Sequence, residues 1–484
     1  MAIDMMPSGL DLLRFLPEMV LAVFAIALML WESSYDDHST RPGMPTVALL
    51  GLALAAVAAL IAGQNGGRAF HDMLVVDSFA TYFRILVLAV GALTVLIASP
   101  FLRKLNAEGG EFYSLLLLSI LGQSLMAASN ELMMVFIGLE ISSISSYVLA
   151  GYLRDDKRAN ESALKYFLLG SFATCFFLYG IAWIFGLTGA TDFNRIAAVL
   201  GNPDIAPDPV FTAAAAALIL AGLCFKISAF PFQSWAPDVY QGAPTPVSAF
   251  LSAAPKAAAF AILLRIFFTA FEPLADRWLP LLGTVALLTM IVGNFAALWQ
   301  TDIKRILGYS AIANAGYVLV AVAAHSSLGI SAVLFYLAAY SFMNIGAFAV
   351  VSMRPETGIA DYNGLAARQP LTAALMTVFI ASLIGLPLTA GFFGKFYIFK
   401  SAIDAELYTL AALGLLTSAV AAFYYVRIIV AMYMKPAAEN APTLEVPATS
   451  LQAVLWLSAA ATIGFGIFPG WLLDWATRSS ALLR

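Results

Sequence analysis

The chain is poor in the side chains that hold redox centres. It has two cysteines, Cys175 and Cys224, both inside apolar runs, and three histidines, His38, His71 and His325, in loops or near helix ends. An iron–sulfur cluster usually takes four cysteines, so none is expected. No two histidines are placed to hold a haem between helices. The expectation is therefore no metal and no cofactor bound by this chain. Charge is scarce as well: Asp, Glu, Lys and Arg make up 11% of the residues, against about 25% in an ordinary soluble domain. No basic cluster points to nucleic acid, and a net charge of −4 decides little for a chain held mostly out of water.

Apolar residues are what the chain has, 61% of its 484 positions, with a mean hydropathy of +0.87. A bilayer span takes about 20 apolar residues. Fourteen candidate spans centre near Ala22, Leu54, Val87, Ser119, Ser142, Phe172, Ile219, Ala259, Leu288, Asn314, Tyr340, Ile384, Val420 and Ile463. They predict an all-α polytopic membrane protein with short loops and no soluble domain. The first run, from about Leu12, lacks a clear cleavage site and reads as a retained span. An even number of spans puts both termini on one side. Eleven lysines and arginines, from Arg41 to Lys435, fall in the opposite loops, and seven, from Arg14 to Arg484, fall on the terminal side. That bias puts the termini outside the cytoplasm.

The remaining seven basic residues lie at membrane depth or near it: Arg84, Lys165, Lys226, Lys256, Arg265, Lys395 and Arg427. Arg84 and Arg265 stand near span ends, where long side chains snorkel to water. Lys165 follows Glu161 by one helical turn, so an i,i+4 ion pair competes with a functional role. Lys226, Lys256 and Lys395 are deeper. A charge at the bilayer centre costs at least about 2.5–3.5 kcal/mol, and intramembrane ionisable residues are functional by default. The plainer alternative is that each lysine only ties helices together. Glu140 lies mid-span and is the natural acidic partner for a buried lysine. Glu131, nine residues earlier, sits at a helix start on the opposite face, where a carboxylate suits the positive helix end. Serines 142, 143, 145 and 146 bond locally or hold water.

Two of these lysines lie beside helix breaks. In "CFKISAFPFQSWAPDVYQGAPTP" Lys226 precedes Pro231, Pro237, Pro244 and Pro246, and in "IGLPLTAGFFGKFYIF" Lys395 follows Pro387, Gly391 and Gly394. Proline removes a backbone donor and clashes with the preceding turn. Irregular backbone at membrane depth survives only inside protein or beside a wet cavity. Discontinuous helices at matching places suggest internal repeats. Lys226 and Lys395 are 169 residues apart, and Lys256 and Arg427 are 171 apart; a repeat of that length holds five helices and inverts. An apolar surround disfavours a charged amine and a nearby carboxylate favours it, so Glu140 and Lys226 together could load and release a proton.

The stretches "KISAFPFQSWAPDVYQGAPTPVSAFLSAAPKAAAF", "WQTDIKRILGYSAIANAGY" and "LIGLPLTAGFFGKFYIF" resemble the antiporter-like membrane subunits of bacterial respiratory complex I, NADH:quinone oxidoreductase. The chain ends soon after its last span, unlike the branch of that family with a long C-terminal lateral helix. It carries Lys395 where another branch has glutamate. Both features point to the third branch.

The resemblance implies 14 helices with two inverted five-helix repeats, each with a broken helix. Their divisions fall at 1–110 (three helices), 111–271 and 272–435 (the repeats) and 436–484 (a C-terminal helix). It implies a proton relay of Glu140, Lys226, Lys256 and Lys395, with Lys165 as a modulator. It implies neighbouring antiporter-like and small membrane subunits and lipids as partners, in the bacterial inner membrane. NADH, FMN, iron–sulfur clusters and quinone would belong to the parent complex. Gln233 and Asn314 stand where many relatives carry histidine, which leaves waters, serines and Tyr309 to carry protons there. Arg427 holds its proton too tightly to relay it, so it is read as a fixed charge or an anchor. A multisubunit cation/proton antiporter shares the same helix core and is the alternative reading. A purely structural subunit fits three buried lysines and two broken helices less well.

Overall fold

The computed structural model describes residues 6–34, 43–437 and 447–481. The N-terminal group is α1 (Gly9–Arg14), α2 (Leu16–Glu32), α3 (Met44–Gln64) and α4 (Ser78–Lys104), with an antiparallel hairpin of β1 (Gly67–Ala69) and β2 (Leu74–Val76) before α4. Next come α5 (Gly110–Ala128), α6 (Leu132–Ala150), α7 (Lys157–Thr188), α8 (Phe193–Leu200), α9 (Pro209–Ile227), α10 (Trp235–Gly242) and α11 (Thr245–Arg265). A third group is α12 (Ala275–Leu298), α13 (Ile303–Ala323), α14 (Ser327–Val351), α15 (Leu365–Arg368), α16 (Pro370–Ile384), α17 (Ala390–Asp404) and α18 (Tyr408–Met434). The last two helices are α19 (Thr449–Ile467) and α20 (Pro469–Ser480), so the described part of 436–484 holds two helices rather than one. His38, Arg41 and Arg484 lie outside the described residues.

Every one of the 14 expected span centres falls within a helix. Among the described residues, 12 helices are long and apolar enough to cross a bilayer. The two expected spans outside that count have physical reasons. Helix α2 has 17 residues, at the short edge of a spanning length. The span around Ile384 is broken into α16 and α17, of 15 residues each.

The bundle has a buried centre and a greasy rim. Helices α11, α13 and α14 are covered almost all round, as expected of helices that are apolar on every face. The rim leaves large apolar side chains uncovered, such as Val57 on α3, Leu168 and Phe172 on α7, and Leu416 and Phe423 on α18. In lipid such a surface needs no cover, provided the backbone bonds within each helix. Helix starts are closed by carboxylates: Asp77, Glu131, Asp156, Asp192, Asp208 and Asp302 each accept a backbone N–H of the first turn. Glu131 thus has the capping place expected of it.

The same two-bond clasp occurs twice. Leu132 N donates to Thr191 O at 3.0 Å and Phe193 N to Asn130 O at 3.2 Å; Ile303 N donates to Thr357 O at 2.7 Å and Ile359 N to Thr301 O at 2.8 Å. One clasp opens α6 and the other α13, with five spans from one start to the next. The two clasps therefore lie on opposite faces of the bundle.

Both breaks start at a left-handed residue. Helix α9 ends on Ser228 (φ 61°) and α16 on Gly385 (φ 93°), and in each case the next amide returns to a carbonyl of the last turn. Lys226 stands before the first break and Lys395 after the second. The 169-residue spacing of the lysines is therefore not the spacing of the breaks, which is 385 minus 228, or 157 residues.

Neither Arg84 nor Arg265 snorkels. Arg84 pairs with Glu18 at 2.8 Å, both side chains fully buried, and Ser124 Oγ donates to the same carboxylate oxygen. Arg265 makes a two-pronged pair with Asp77 at 3.0 and 2.9 Å and lies over the Phe79 ring. The N-terminal helices cover both sites, which closes the route to water that a span end would otherwise offer.

Candidate functional site

Lys226 sits in the last turn of α9, inside an aromatic box. Its ammonium lies 5.2 Å from the Tyr147 ring centroid, 5.6 Å from Tyr166 and 5.4 Å from Phe225. Ring faces attract a cation, more strongly once water is removed. The break builds this box: the chain turns back so that Trp235, opening α10, stacks on Tyr166 with centroids 4.4 Å apart and donates Nε1–H to Phe225 O at 2.9 Å.

The acid expected to pair with Lys226 does not touch it. Glu140 is half-buried on α6 and accepts from Thr174 Oγ1 of α7 at 3.0 Å. The Lys226 ammonium instead donates to Tyr147 OH at 3.3 Å. Tyr147 lies on α6 seven residues after Glu140, two turns along the same face and about 10 Å further on. Ser143 stands between them but turns its hydroxyl onto the Leu139 carbonyl, and Ser145 and Ser146 bond the carbonyls of Ile141 and Ser142. Ser142 and Ser146 also meet Ser119 of α5, and Gln123 Nε2 donates to Ser142 Oγ, so these two serines tie α6 to α5.

Lys256 and Lys395 are each held by backbone. Lys256, on α11 just after the in-helix Pro255, donates to Ala311 O of α13 at 2.9 Å. Lys395 donates to Leu383 O at 2.9 Å, Ile384 O at 3.0 Å and Ser418 Oγ at 2.9 Å. The first two are final carbonyls of α16, left without helical partners by the break. A cation there also suits the negative end of the helix.

Between these two lysines run hydroxyls and amides. Ser310, next to Ala311, makes a very short hydrogen bond with Tyr425 OH. Tyr425 packs on Tyr424, ring centroids 4.5 Å apart. Tyr424 OH donates to Asn294 Oδ1 at 3.2 Å, and Asn294 Nδ2 donates to Tyr317 OH at 2.9 Å. The Tyr317 ring lies 5.0 Å from the Lys395 ammonium. Asn314 belongs to the same network, donating to Ser310 O and accepting from Tyr336 OH.

The other expected residues lie at the margins. Lys165 pairs with Glu161 at 2.8 Å, as the one-turn spacing predicts, and also with Asp238 of α10 at 2.9 Å. Asp238 in turn binds Arg305 of α13 at 2.6 Å, and Tyr309 lies under that guanidinium, 5.8 Å away, outside the Asn314 network. Gln233 lies in the first break, and its Oε1 has no hydrogen-bond partner among the described residues. Arg427 donates to Leu298 O at 2.6 Å and Gln300 O at 3.2 Å, closing the end of α12.

Tyr147, Tyr166 and Trp235 around Lys226, and Tyr317, Tyr424 and Tyr425 near Lys395, escaped the sequence reading. Only Tyr147 carried a signal, its seven-residue spacing from Glu140. Tyr147→Phe keeps the ring and removes the hydroxyl that Lys226 reaches. Proton uptake by the assembled protein is expected to fall several-fold with unchanged abundance, about what loss of a hydrogen bond of about 1 kcal/mol gives. Unchanged uptake would remove Tyr147 from the site.

Among the described residues no group of three His, Cys, Asp or Glu side chains could hold a metal ion. Cys224 is buried and Cys175 exposed, both as free thiols.

Broken helices carrying buried amines within a closed bundle define an antiporter-like polytopic membrane protein. Residues 129–421 match the family described as NADH:quinone oxidoreductase/Mrp antiporter, transmembrane. The chain is 57% identical to NADH-quinone oxidoreductase subunit N 1 of Solibacter usitatus, covering 98% of each, and 43% identical to subunit N of Trichlorobacter lovleyi, over 97% of this chain and 96% of that one. It is similar to a chain of respiratory complex I from Thermus thermophilus (TM-score 0.80, 35% identity, 95% of this chain and 98% of that one). A chain of the Mrp complex from Dietzia shares the fold alone, with TM-score 0.84 at 20% identity over 98% and 97%. The chain belongs to the NADH-quinone oxidoreductase subunit N family.

Proposed function

We propose that this chain is the proton-translocating membrane subunit of a bacterial NADH:quinone oxidoreductase and that it works through Glu140, Lys226, Lys256 and Lys395. It is the non-redox part of that translocase: NADH, FMN, iron–sulfur clusters and quinone act in the parent complex. Neighbouring antiporter-like and small membrane subunits and lipids are its partners. It lies in the cell inner membrane with both termini periplasmic. The chain divides at 1–110, 111–271, 272–435 and 436–484, and the repeated clasp supports an inverted pair of five-helix units.

The observation that carries this reading is the set of three buried ammonium groups, two of them at helix breaks. A carboxylate nearby favours the charged amine and an apolar surround the neutral one. Movement of Glu140 along the α6–α7 groove would change the charge felt at Lys226 through Tyr147. The amine would then pass its proton toward Lys256, which donates to the Ala311 carbonyl. From there the Ser310, Tyr425, Asn294 and Tyr317 groups lead to Lys395, with water bridging the Tyr425–Tyr424 ring contact. Lys165 and Tyr309 act on this path from outside, through Asp238 and Arg305 on the half-helix beyond the first break.

Purification of the tagged chain from membranes is expected to bring flavin and iron–sulfur subunits with it. Co-isolation of antiporter subunits alone would favour the cation/proton antiporter reading, which the shared fold supports. In the assembled complex, Glu140→Ala and Lys226→Ala are expected to lower quinone-linked NADH oxidation and proton uptake on the order of tenfold or more. Near-normal values for both variants would remove them from the relay.

A further inference from the structure

A cavity of about 1020 Å³ opens at the face away from the termini, outside the proposed relay. The end of α4, the α6–α7 loop, the α10–α11 joint, the α14–α16 linker and the start of α19 surround it. Five basic side chains line it, Lys104, Arg154, Arg158, Lys304 and Arg354, against two acids, Asp155 and Asp156.

Three of its lining donors are buried and poorly satisfied. Lys304 is 5% exposed and donates one of its three N–H groups, to Ala243 O. Arg354 gives one nitrogen to Asp361 O, while its Nη2 and Tyr362 OH have no hydrogen-bond partner among the described residues. Burial holds the Arg354 guanidinium below its usual pKa and the Tyr362 hydroxyl above its own, so the tyrosine remains a neutral donor. Leaving buried cations and donors without acceptors is costly. An anion in the cavity removes that cost at Arg354 and Tyr362, whose guanidinium and ring lie 5.2 Å apart, and Lys304 lines the same cavity.

We propose that this cavity is a phosphate-binding site, filled by the headgroup of an anionic phospholipid or by a free phosphate. Lys304, Arg354 and Tyr362 hold the phosphate oxygens, from α13 and the α14–α16 linker. A phosphate presents acceptors in several directions and suits donors from separate elements. The lipid is the source the walls favour. Ile97, Phe101, Val350 and Leu451 line the same cavity and would take glycerol and the first acyl carbons. Basic pockets between membrane helices on this kind of face bind anionic headgroups. An occupied site would tie α13, already bonded to the α10–α11 joint through Lys304, to the α14–α16 linker.

The test uses the assembled complex, stripped in detergent and returned to phosphatidylcholine vesicles with or without phosphatidylglycerol, or to phosphatidylcholine with inorganic phosphate. Retained lipid is counted by native mass spectrometry and protection by the thermal midpoint. The wild type is expected to retain an additional phosphatidylglycerol that Arg354→Gln binds about tenfold more weakly. Tyr362→Phe keeps shape and charge, assembles, and should bind it a few-fold more weakly. Protection by inorganic phosphate, lost in both variants and without retained lipid, would establish the phosphate site with free phosphate as its source. Equal retention and equal protection in wild type and both variants would overturn the proposal.

Discussion

Lys256→Arg and Lys395→Arg are each expected to abolish proton uptake by an assembled complex, while Arg427→Lys leaves uptake close to normal. All three side chains put positive charge on backbone carbonyls: Lys256 on Ala311, Lys395 on Leu383 and Ile384, Arg427 on Leu298 and Gln300. Arginine preserves that charge but keeps its proton up to a pKa of about 12 or more. A relay through either lysine therefore stops, although the carbonyls keep a positive charge against them. At Arg427 no proton is asked to move. A lysine there loses the fork that reaches two carbonyls, a change of about 0.5–1.5 kcal/mol in stability. The comparison needs equal abundance of assembled complex and one assay of proton uptake. Normal pumping by Lys256→Arg would mean that this lysine supplies charge alone. Loss of pumping in Arg427→Lys would give that position a role in the relay.

Arg84→Leu is expected to deplete the assembled protein, a stability effect rather than a transport one. Glu18 and Arg84 are both fully buried, and among the described residues each already has one side-chain atom without a hydrogen-bond partner, Glu18 Oε2 and Arg84 Nη1. Removing the arginine leaves a carboxylate among α2, α4 and α5 with the Ser124 hydroxyl as donor but without its counter-charge. Breaking a buried pair in this way costs about 3–5 kcal/mol, a large share of the stability of an ordinary domain. Replacing both residues by leucine should recover much of the loss, because no charge is then left buried. Arg68→Ala is the control: its pair with Asp72 is about half exposed on both sides, where such pairs add about 1 kcal/mol or less. Chain abundance in membranes and the thermal midpoint of the purified complex decide it. Equal abundance of Arg84→Leu and wild type would show that the pair does not hold these helices.

Two of the sequence readings fail at the level of contact. Arg84 and Arg265 stand near the ends of apolar runs, which suggests access to water, yet their partners Glu18 and Asp77 come from other segments and close them in. Glu140 is correctly singled out as a mid-span acid, yet Lys226 reaches Tyr147 instead. A run of apolar residues defines a helix but not its rotation about its axis, and that rotation decides which side chain meets which.

The sequence by itself determined the helices, the breaks and the positions of the buried charges. In a bilayer the backbone must bond within each span, so apolar runs of the right length become helices whatever surrounds them. Pro231 and Pro237, and Gly385 with Pro387, interrupt that pattern locally. The three lysines are visible because a charge among apolar residues stands out in one dimension. Only the tertiary structure decided what those lysines touch. Tyr424 reaches Asn294 across 130 residues and Lys256 reaches Ala311 across 55, and such pairs depend on how α11, α12, α13 and α18 turn and pack.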